Sequence, residues 1–421
     1  MYVLLCGGPF GTEPSVRTAG PSLAILVLSV MALLWAVPYA LIVGELVAKL
    51  PLQGGLYQWF RAGLGPFWSF QFTYLDWSTW VLDAALYPPM VAAYMVTLLP
   101  CDPGPWARWG IALVVIWSCT WMNIRGVREV GRMSVVMTIL QVAPVLLLIV
   151  LGARHFSFDS LRPLIPEGQS FVTSLNYALV WSLWSYSGYG ALAAASEEIV
   201  DPQRNYPRVL AIFLPLSVLV YVVPLVVGLA VTPDWRSWEV GQLNLTALAL
   251  GGTGLMVAML VAAQLANVGL FNGELLVMSR MPYAMARDGL LPRWLSGLHP
   301  RHGTPARILI VQAVLYSFLT FFFDFIDLLV VSTWLGLPTY LLTFASPVIL
   351  RLRRPDLRGP FRIPGGLPVL ILTAAVPSLI AVYVLFTIEP RHLLIGCAMA
   401  STGPLLYLLT GRWRHREAID R

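Results

Sequence analysis

Apolar runs of roughly 20 residues recur along this chain, and each is long enough to cross ~30 Å of hydrocarbon as a helix. They lie at about 21–48, 66–99, 106–122, 131–153, 171–199, 207–231, 253–280, 305–323, 327–350, 367–388 and 391–411. The residues before position 20 add a truncated first span, which makes twelve. In lipid, every backbone polar group must be satisfied internally, so only helices and closed barrels can span. A barrel would show short alternating segments, and none is present. Composition agrees: 58% of the 421 residues are hydrophobic and 11% charged, whereas soluble domains carry about a quarter charged residues. Mean hydropathy is +0.74. The expected fold class is an all-α polytopic membrane protein, a single transmembrane domain over 1–421. The longest run, 66–99, has to tilt or protrude.

The net charge of +6 points to loop placement rather than to nucleic acid. With the N-terminus inside, the cytoplasmic set is 49–65, 123–130, 200–206, 281–304, 351–366 and the tail from Arg412. These stretches and their flanks hold about 21 of the 27 Lys and Arg residues, the bias expected of cytoplasmic loops. Both termini are therefore expected in the cytoplasm, and function is expected within the membrane.

Several chemistries find no support. Cys6, Cys101, Cys119 and Cys397 are far apart and show no CxxC spacing, which suits buried structural thiols. His155, His299, His302, His392 and His415 fall in expected loops or tails. They form no ligand cluster, so no metal site is expected. No GxxxxGK[ST] motif appears, which argues against direct use of ATP. "GYGALAAA" has no strand before it, so it is not read as a nucleotide site.

Two spans are interrupted. "LLCGGPFGTEP", residues 5–15, places Gly7, Gly8, Pro9, Phe10 and Gly11 inside an apolar segment. "LVWSLWSYSGYGALAAASEEI" places Ser185, Ser187, Gly188 and Gly190 mid-span. Irregular backbone at membrane depth survives only where protein or a water-filled cavity satisfies it. Each break opens a block of five spans, roughly 1–153 and 171–350. Five is odd, so the second block would insert upside down, the inverted-repeat plan of secondary transporters. In that plan, amides of residues 7–12 are free to hold an anion. Gly permits close backbone approach, and Pro9 stops a helix running through.

These residues resemble the amino acid–polyamine–organocation (APC) superfamily. "GGPFG", "LPLQGGLYQWFRAGLGPFWSF", "NIRGVREVGR", "SEEIVDPQRNYPRVL", "SRMPYAMARDGLLPRWLSGLHPRHGTPARI" and "PFRIPGG" look like its signatures, in the expected order over nearly the whole chain. "GGPFG" and "NVGLFNGELL" look most like the branch of L-type amino acid and polyamine-uptake transporters. The resemblance implies a leucine-transporter-type (LeuT) fold: five plus five inverted spans, two further C-terminal spans at about 367–411, and alternating access. It implies that Gly7, Gly8, Pro9, Phe10 and Gly11 hold a substrate carboxylate. Trp184, Ser185, Tyr186, Ser187 and Gly188 would hold the amino group and shape the pocket. Thr79, Asp83 and Asn267 would face the same site.

The expected function is a secondary active permease, not an enzyme, moving a neutral amino acid by alternating access. The alternative is a polyamine or cationic amino acid transporter or exchanger of the same fold. The second break lacks the carboxylate seen in polyamine relatives, which favours the first reading, but Asp83 could restore cation binding. Expected partners are the small-molecule substrate and the lipid bilayer, with no nucleic acid. No cofactor is expected beyond a coupling ion, H⁺ or Na⁺. Some proton-coupled relatives carry a Lys in the fifth span, where this chain has Gln141. The short tails suggest a bacterial inner membrane.

Intramembrane charges are costly and default to functional hypotheses. Asp76 and Asp83, seven apart, share one helical face, and Asp83 lies near mid-span. Glu45 can pair with Lys49 at i+4, as a gate or a structural pair. Glu274 is expected near the cytoplasmic face, in inner gating or an ion pair with Arg280. Glu13 follows the first break and reads first as a helix cap, with proton coupling second. Trp181, Trp184, Tyr186 and Tyr189 cluster at the second break. Only Met1–Cys6 precede the first break, where a half-helix needs about ten residues at 1.5 Å each. The chain is therefore expected to begin upstream, or to have a stunted inner half-helix.

Overall fold

The computed structural model describes residues 7–49, 56–99, 102–126, 130–188, 202–353, 359 and 361–419. The described residues contain helices and no strand. The first break, residues 7–13, is non-helical. A short helix α1 (Pro14–Ala19) follows, then α2 (Pro21–Lys49). Gly20 separates them at φ 93°, and Pro21 opens α2. Only glycine takes that φ without strain. A Cβ there would lie 2.7 Å from the Leu164 carbonyl oxygen and 2.8 Å from Ile165 Cα. Both are backbone atoms that cannot step aside. Gly20→Ala is expected to destabilise the protein by about 2 kcal/mol or more, read as a lowered unfolding midpoint in detergent. An unchanged midpoint would mean that this corner yields to a methyl group.

A π-helical turn at Ala32–Ala36 interrupts α2. There Trp35 is fully buried and meets Tyr340 and Phe344 edge-on, at 5.3 and 5.1 Å between ring centres. Leu33, one residue from the buried Ala32, is 68% exposed. Such exposed apolar side chains recur along the outer helices and form the face that lipid covers.

Residues 66–99 are two helices rather than one tilted span: α3 (Leu56–Ala84) and α4 (Tyr87–Val96). The break has a simple cause. Pro88 and Pro89 carry no N–H and cannot bond back to the last turn of α3. Helix therefore occupies part of the expected loop 49–65, from Leu56 on. Next come α5 (Pro105–Arg125), α6 (Val130–Gly152) and α7 (Phe171–Ser185). Helix α7 stops at the second break, and Tyr186, Ser187 and Gly188 are non-helical. Gly190 and Tyr189 lie outside the described residues, as do Cys6 and Cys101. After these come α8 (Pro202–Val231), α9 (Gln242–Arg287), α10 (Ala306–Phe322), α11 (Phe325–Arg353), α12 (Gly366–Thr387) and α13 (Pro390–Ile419). Helix α9 is kinked at Gly252 and extends well into the expected loop 281–304.

Six stretches among the described residues are long and apolar enough to cross a membrane: α2, Thr138–His155, Leu214–Val231, α9, α11 and α12. Helix α10 is a shorter apolar helix. Tertiary packing places α3 along α11, α9 against α6 and α4, and α7 against α1 and α2. The two breaks thus face each other beside α3 and α9. Cys119 is buried, but Cys397 is exposed. His392, expected in a loop, opens α13 and is buried against Asp327.

Candidate functional site

The first break is built from glycine conformations. Gly8 and Gly11 sit at φ 84° and 87°. A Cβ on Gly11 would overlap the Met90 methyl and lie 3.2 Å from the Trp184 ring. Only some of the amides here are free, however. Gly11 N–H donates to Glu13 Oε2 (2.7 Å) and to the Tyr94 hydroxyl oxygen (2.8 Å). Thr12 N–H donates to the Pro9 carbonyl. Among the described residues no partner meets the amides of Gly7, Gly8 and Phe10. The anion-holding stretch of residues 7–12 therefore narrows to these three.

A cavity of ≈ 40 Å³ lies between the breaks. It is lined by Gly7, Gly8 and Phe10 from the first break and by Trp184, Ser185, Ser187 and Gly188 from the second. Trp80, Asp83, Tyr87, Tyr221, Leu270 and Glu274 complete it. It has room for a few waters. A second void of ≈ 20 Å³ shares Trp80, Asp83, Trp184 and Ser187 with it and reaches Thr79, Ser332, Thr333 and Tyr340. The four shared side chains border both voids.

Carboxylates define its chemistry. Asp83 is 5% exposed and Glu274 3% exposed. The Tyr87 hydroxyl donates to Asp83 Oδ2 at 3.0 Å and lies 3.3 Å from Glu274 Oε1. The Trp184 indole donates to Asp83 Oδ1 at 2.7 Å. The two carboxyl groups are within hydrogen-bond reach of each other, and Glu274 Oε2 has no partner. Among the described residues no Lys or Arg lines either void. Six aromatic residues do: Phe10, Trp80, Tyr87, Trp184, Tyr221 and Tyr340.

Other expected site residues lie elsewhere. Pro9 and Gly11 shape the break but do not line the cavity. Tyr186 is 1% exposed, donates to the Leu28 carbonyl at 3.2 Å and packs edge-on against Tyr221. It faces α2 rather than the cavity. Asn267 is buried on α9 with both amide atoms unpartnered, one turn before Leu270. Gln141 is likewise buried and unpartnered, on α6. Asp76 is buried beside the indole of Trp80 and lines neither void.

Glu274, expected near a membrane face, sits in the cavity instead. Helix α9 runs past Arg280 to Arg287, and Glu274 lines the cavity from within it. Sequence reasoning also missed Trp80, Tyr87 and Tyr221. A helical-face argument could have found Trp80, which lies at i+4 from Asp76 and three residues before Asp83 on α3; Tyr87 stands beyond the break, on α4.

Glu13 does not cap α1. Fully buried, it accepts from Gly11 N–H, from the Tyr94 hydroxyl at 2.7 Å and from Gly241 N–H at 3.3 Å. It ties the first break to α4 and to the start of α9. Glu13→Leu strands three donors and is expected to cut transport at least tenfold, whereas Glu13→Gln keeps acceptor capacity and a larger residue of activity. Equal rates in the two variants would refute this bracing role. At the far end of α2, Glu45 is also fully buried. It pairs with Lys49 at 2.8 Å and with Arg351 at 2.6 Å, and it accepts from Ile363 N–H at 2.8 Å. It is a structural clamp remote from the cavity.

A larger cavity of ≈ 600 Å³ adjoins this region. Met90 and Phe325 line it, and Phe325 packs edge-on against Trp184 at 6.1 Å. A residue lining one space, Trp184, is thus in contact with a residue lining the other, Phe325.

Residues 2–409 match the family model described as amino acid permease. A probable polyamine transporter of Arabidopsis thaliana is 29% identical over 416 residues, 97% of this chain and 84% of the relative. A polyamine transporter of Oryza sativa subsp. japonica is 30% identical over 373 residues, 87% of this chain and 68% of the relative. The large neutral amino acids transporter small subunit 2 of Oryctolagus cuniculus is 27% identical over 432 residues, 97% of this chain and 77% of the relative. These relatives come from plants and a mammal and lend no support to a bacterial inner membrane. Apolar helices, a cavity lined by two non-helical stretches and a family match across nearly all its length lead to one conclusion: the chain belongs to the amino acid permease family of the APC superfamily, and is an integral membrane transporter rather than an enzyme.

Proposed function

We propose that the protein is a secondary transporter of organic polycations, polyamines in particular, working by alternating access around the two breaks. The observation that carries this reading is the Asp83–Glu274 pair, walled by aromatics and without a Lys or Arg among the lining residues. Buried carboxylates without a countercharge are costly, and an ammonium group relieves that cost. Aromatic faces add cation–π attraction. The names of the plant relatives point the same way. The cavity's small volume fits a closed conformation, which parting of the Trp184–Phe325 contact would open on one side. In this reading the fold is the LeuT-type plan, with inverted repeats over about 1–153 and 171–350, extra spans at about 367–411 and cytoplasmic termini. The pair can hold H⁺ in place of substrate, which gives a route to proton coupling; Na⁺ is the competing ion.

A second reading, a neutral amino acid, rests on the unpartnered amides of Gly7, Gly8 and Phe10, which suit a carboxylate. Radiolabelled uptake into proteoliposomes separates the two. The expected result is saturable spermidine uptake without ATP, inhibited by putrescine, insensitive to leucine and abolished by Gly8→Leu. Leucine uptake unaffected by excess spermidine would replace the first reading with the second. Repeating the assay under imposed H⁺ or Na⁺ gradients identifies the coupling ion.

A further inference from the structure

We propose that a cavity between the first turns of α7 and α13 and the end of α12 is a second ligand site, for an amphiphile bearing a primary ammonium head. The cavity measures ≈ 250 Å³ and shares no lining residue with either central void. Val172, Val180, Val330 and Val384 form its apolar wall, and Glu389 and His392 lie at its polar end. Val172 is 52% exposed, so the cavity is open to the surroundings.

The polar end holds two acceptors with no donor between them. His392 is 5% exposed, and its Nε2 lies 3.1 Å from Asp327 Oδ1. With the Nε2 hydrogen donated to Asp327, Nδ1 presents a lone pair. That Nδ1 is buried and has no hydrogen-bond partner. Glu389 Oε2 lies 3.7 Å from it, beyond hydrogen-bond range. The neighbouring donors are already engaged. Tyr177 O–H donates to Glu389 Oε1 at 3.0 Å, and Arg391 donates to Asp327 Oδ2 at 2.7 Å. Asn176 and Thr387 bond each other.

A ligand head must therefore bring at least two hydrogens to bridge Nδ1 and the Glu389 carboxylate. A hydroxyl brings one and a quaternary ammonium none, but a primary ammonium brings three. Its positive charge answers Glu389, and the valines accept its apolar body. The same head group occurs in an aminophospholipid and in a free alkylamine.

The full chain in phosphatidylcholine nanodiscs, titrated with n-hexylamine, tests this. A saturable rise in the unfolding midpoint is expected in the wild type and in Asp83→Asn. In the Asp83→Asn background it should vanish on Glu389→Gln, which removes the charge at a half-exposed position, and on Val384→Phe, which fills the cavity. Two variants with unrelated lesions guard against misfolding of either one. In phosphatidylethanolamine nanodiscs, loss of the hexylamine response assigns the site to the lipid head group. A retained response assigns it to free amines. Both outcomes support the site. It is overturned if the wild type shows no saturable shift, if the shift survives both cavity variants, or if Asp83→Asn alone removes it.

Discussion

Asp83→Asn combined with Glu274→Gln is expected to abolish polyamine uptake while leaving the protein folded. Each single change should lower the apparent affinity for spermidine about 30-fold or more. Removing one partner of a buried charge contact costs about 2 kcal/mol or more, and 1.4 kcal/mol is tenfold. The amides keep the shape of the carboxylates, and the amide oxygen at each position still accepts from Tyr87 or Trp184. Stability should not fall, because two like-charged groups within reach of each other are replaced by neutral ones. The measurement is initial uptake rate against spermidine concentration in proteoliposomes, alongside the unfolding midpoint. Spermidine uptake that persists at wild-type affinity in the double variant would remove the basis for a cation site.

Glu45→Ala is expected to be the most destabilising single change outside the cavity. Lys49 and Arg351 have side chains only 4% exposed, and Glu45 is their shared counter-ion. Removing it leaves two buried cations without this counter-ion, with Arg351 held only by the Ile363 and Gly366 carbonyls, a loss of about 3–5 kcal/mol. It also strands the Ile363 N–H, which donates to the same carboxylate at 2.8 Å. The triple change to Met at 45, 49 and 351 should recover much of the loss, because no charge is then left buried. Equilibrium unfolding in mixed micelles reads both effects. If Glu45→Ala unfolds at the same denaturant fraction as the wild type, the clamp contributes nothing and its burial is incidental.

Much of the site is legible in the sequence. The glycines and proline of "GGPFG" forbid continuous helix through local backbone physics, which needs no neighbour. The same holds for the small polar residues after Trp184. Asp83 is legible because a carboxylate amid apolar residues has to be used. Tyr186 and Glu13 are misjudged for a common reason: what surrounds them is far away in sequence. Tyr186 bonds Leu28 on α2, and Glu13 reaches Tyr94 and Gly241. Neither pairing leaves a trace in local spacing. That Glu274 lines the cavity is not readable from its distance to Arg280, because α9 runs past Arg280 to Arg287.

The sequence by itself determined that this chain lies in a membrane as helices, and that two of them are broken. Apolar length and backbone hydrogen bonding are local properties, and the solvent enforces them. Tertiary structure alone decided that Asp83 on α3 meets Glu274 on α9, that Trp184 and Tyr87 orient them, and that Glu13 braces the break instead of capping α1. Those outcomes depend on how helices pack, and in lipid the contacts between side chains, not hydrophobicity, choose which faces meet.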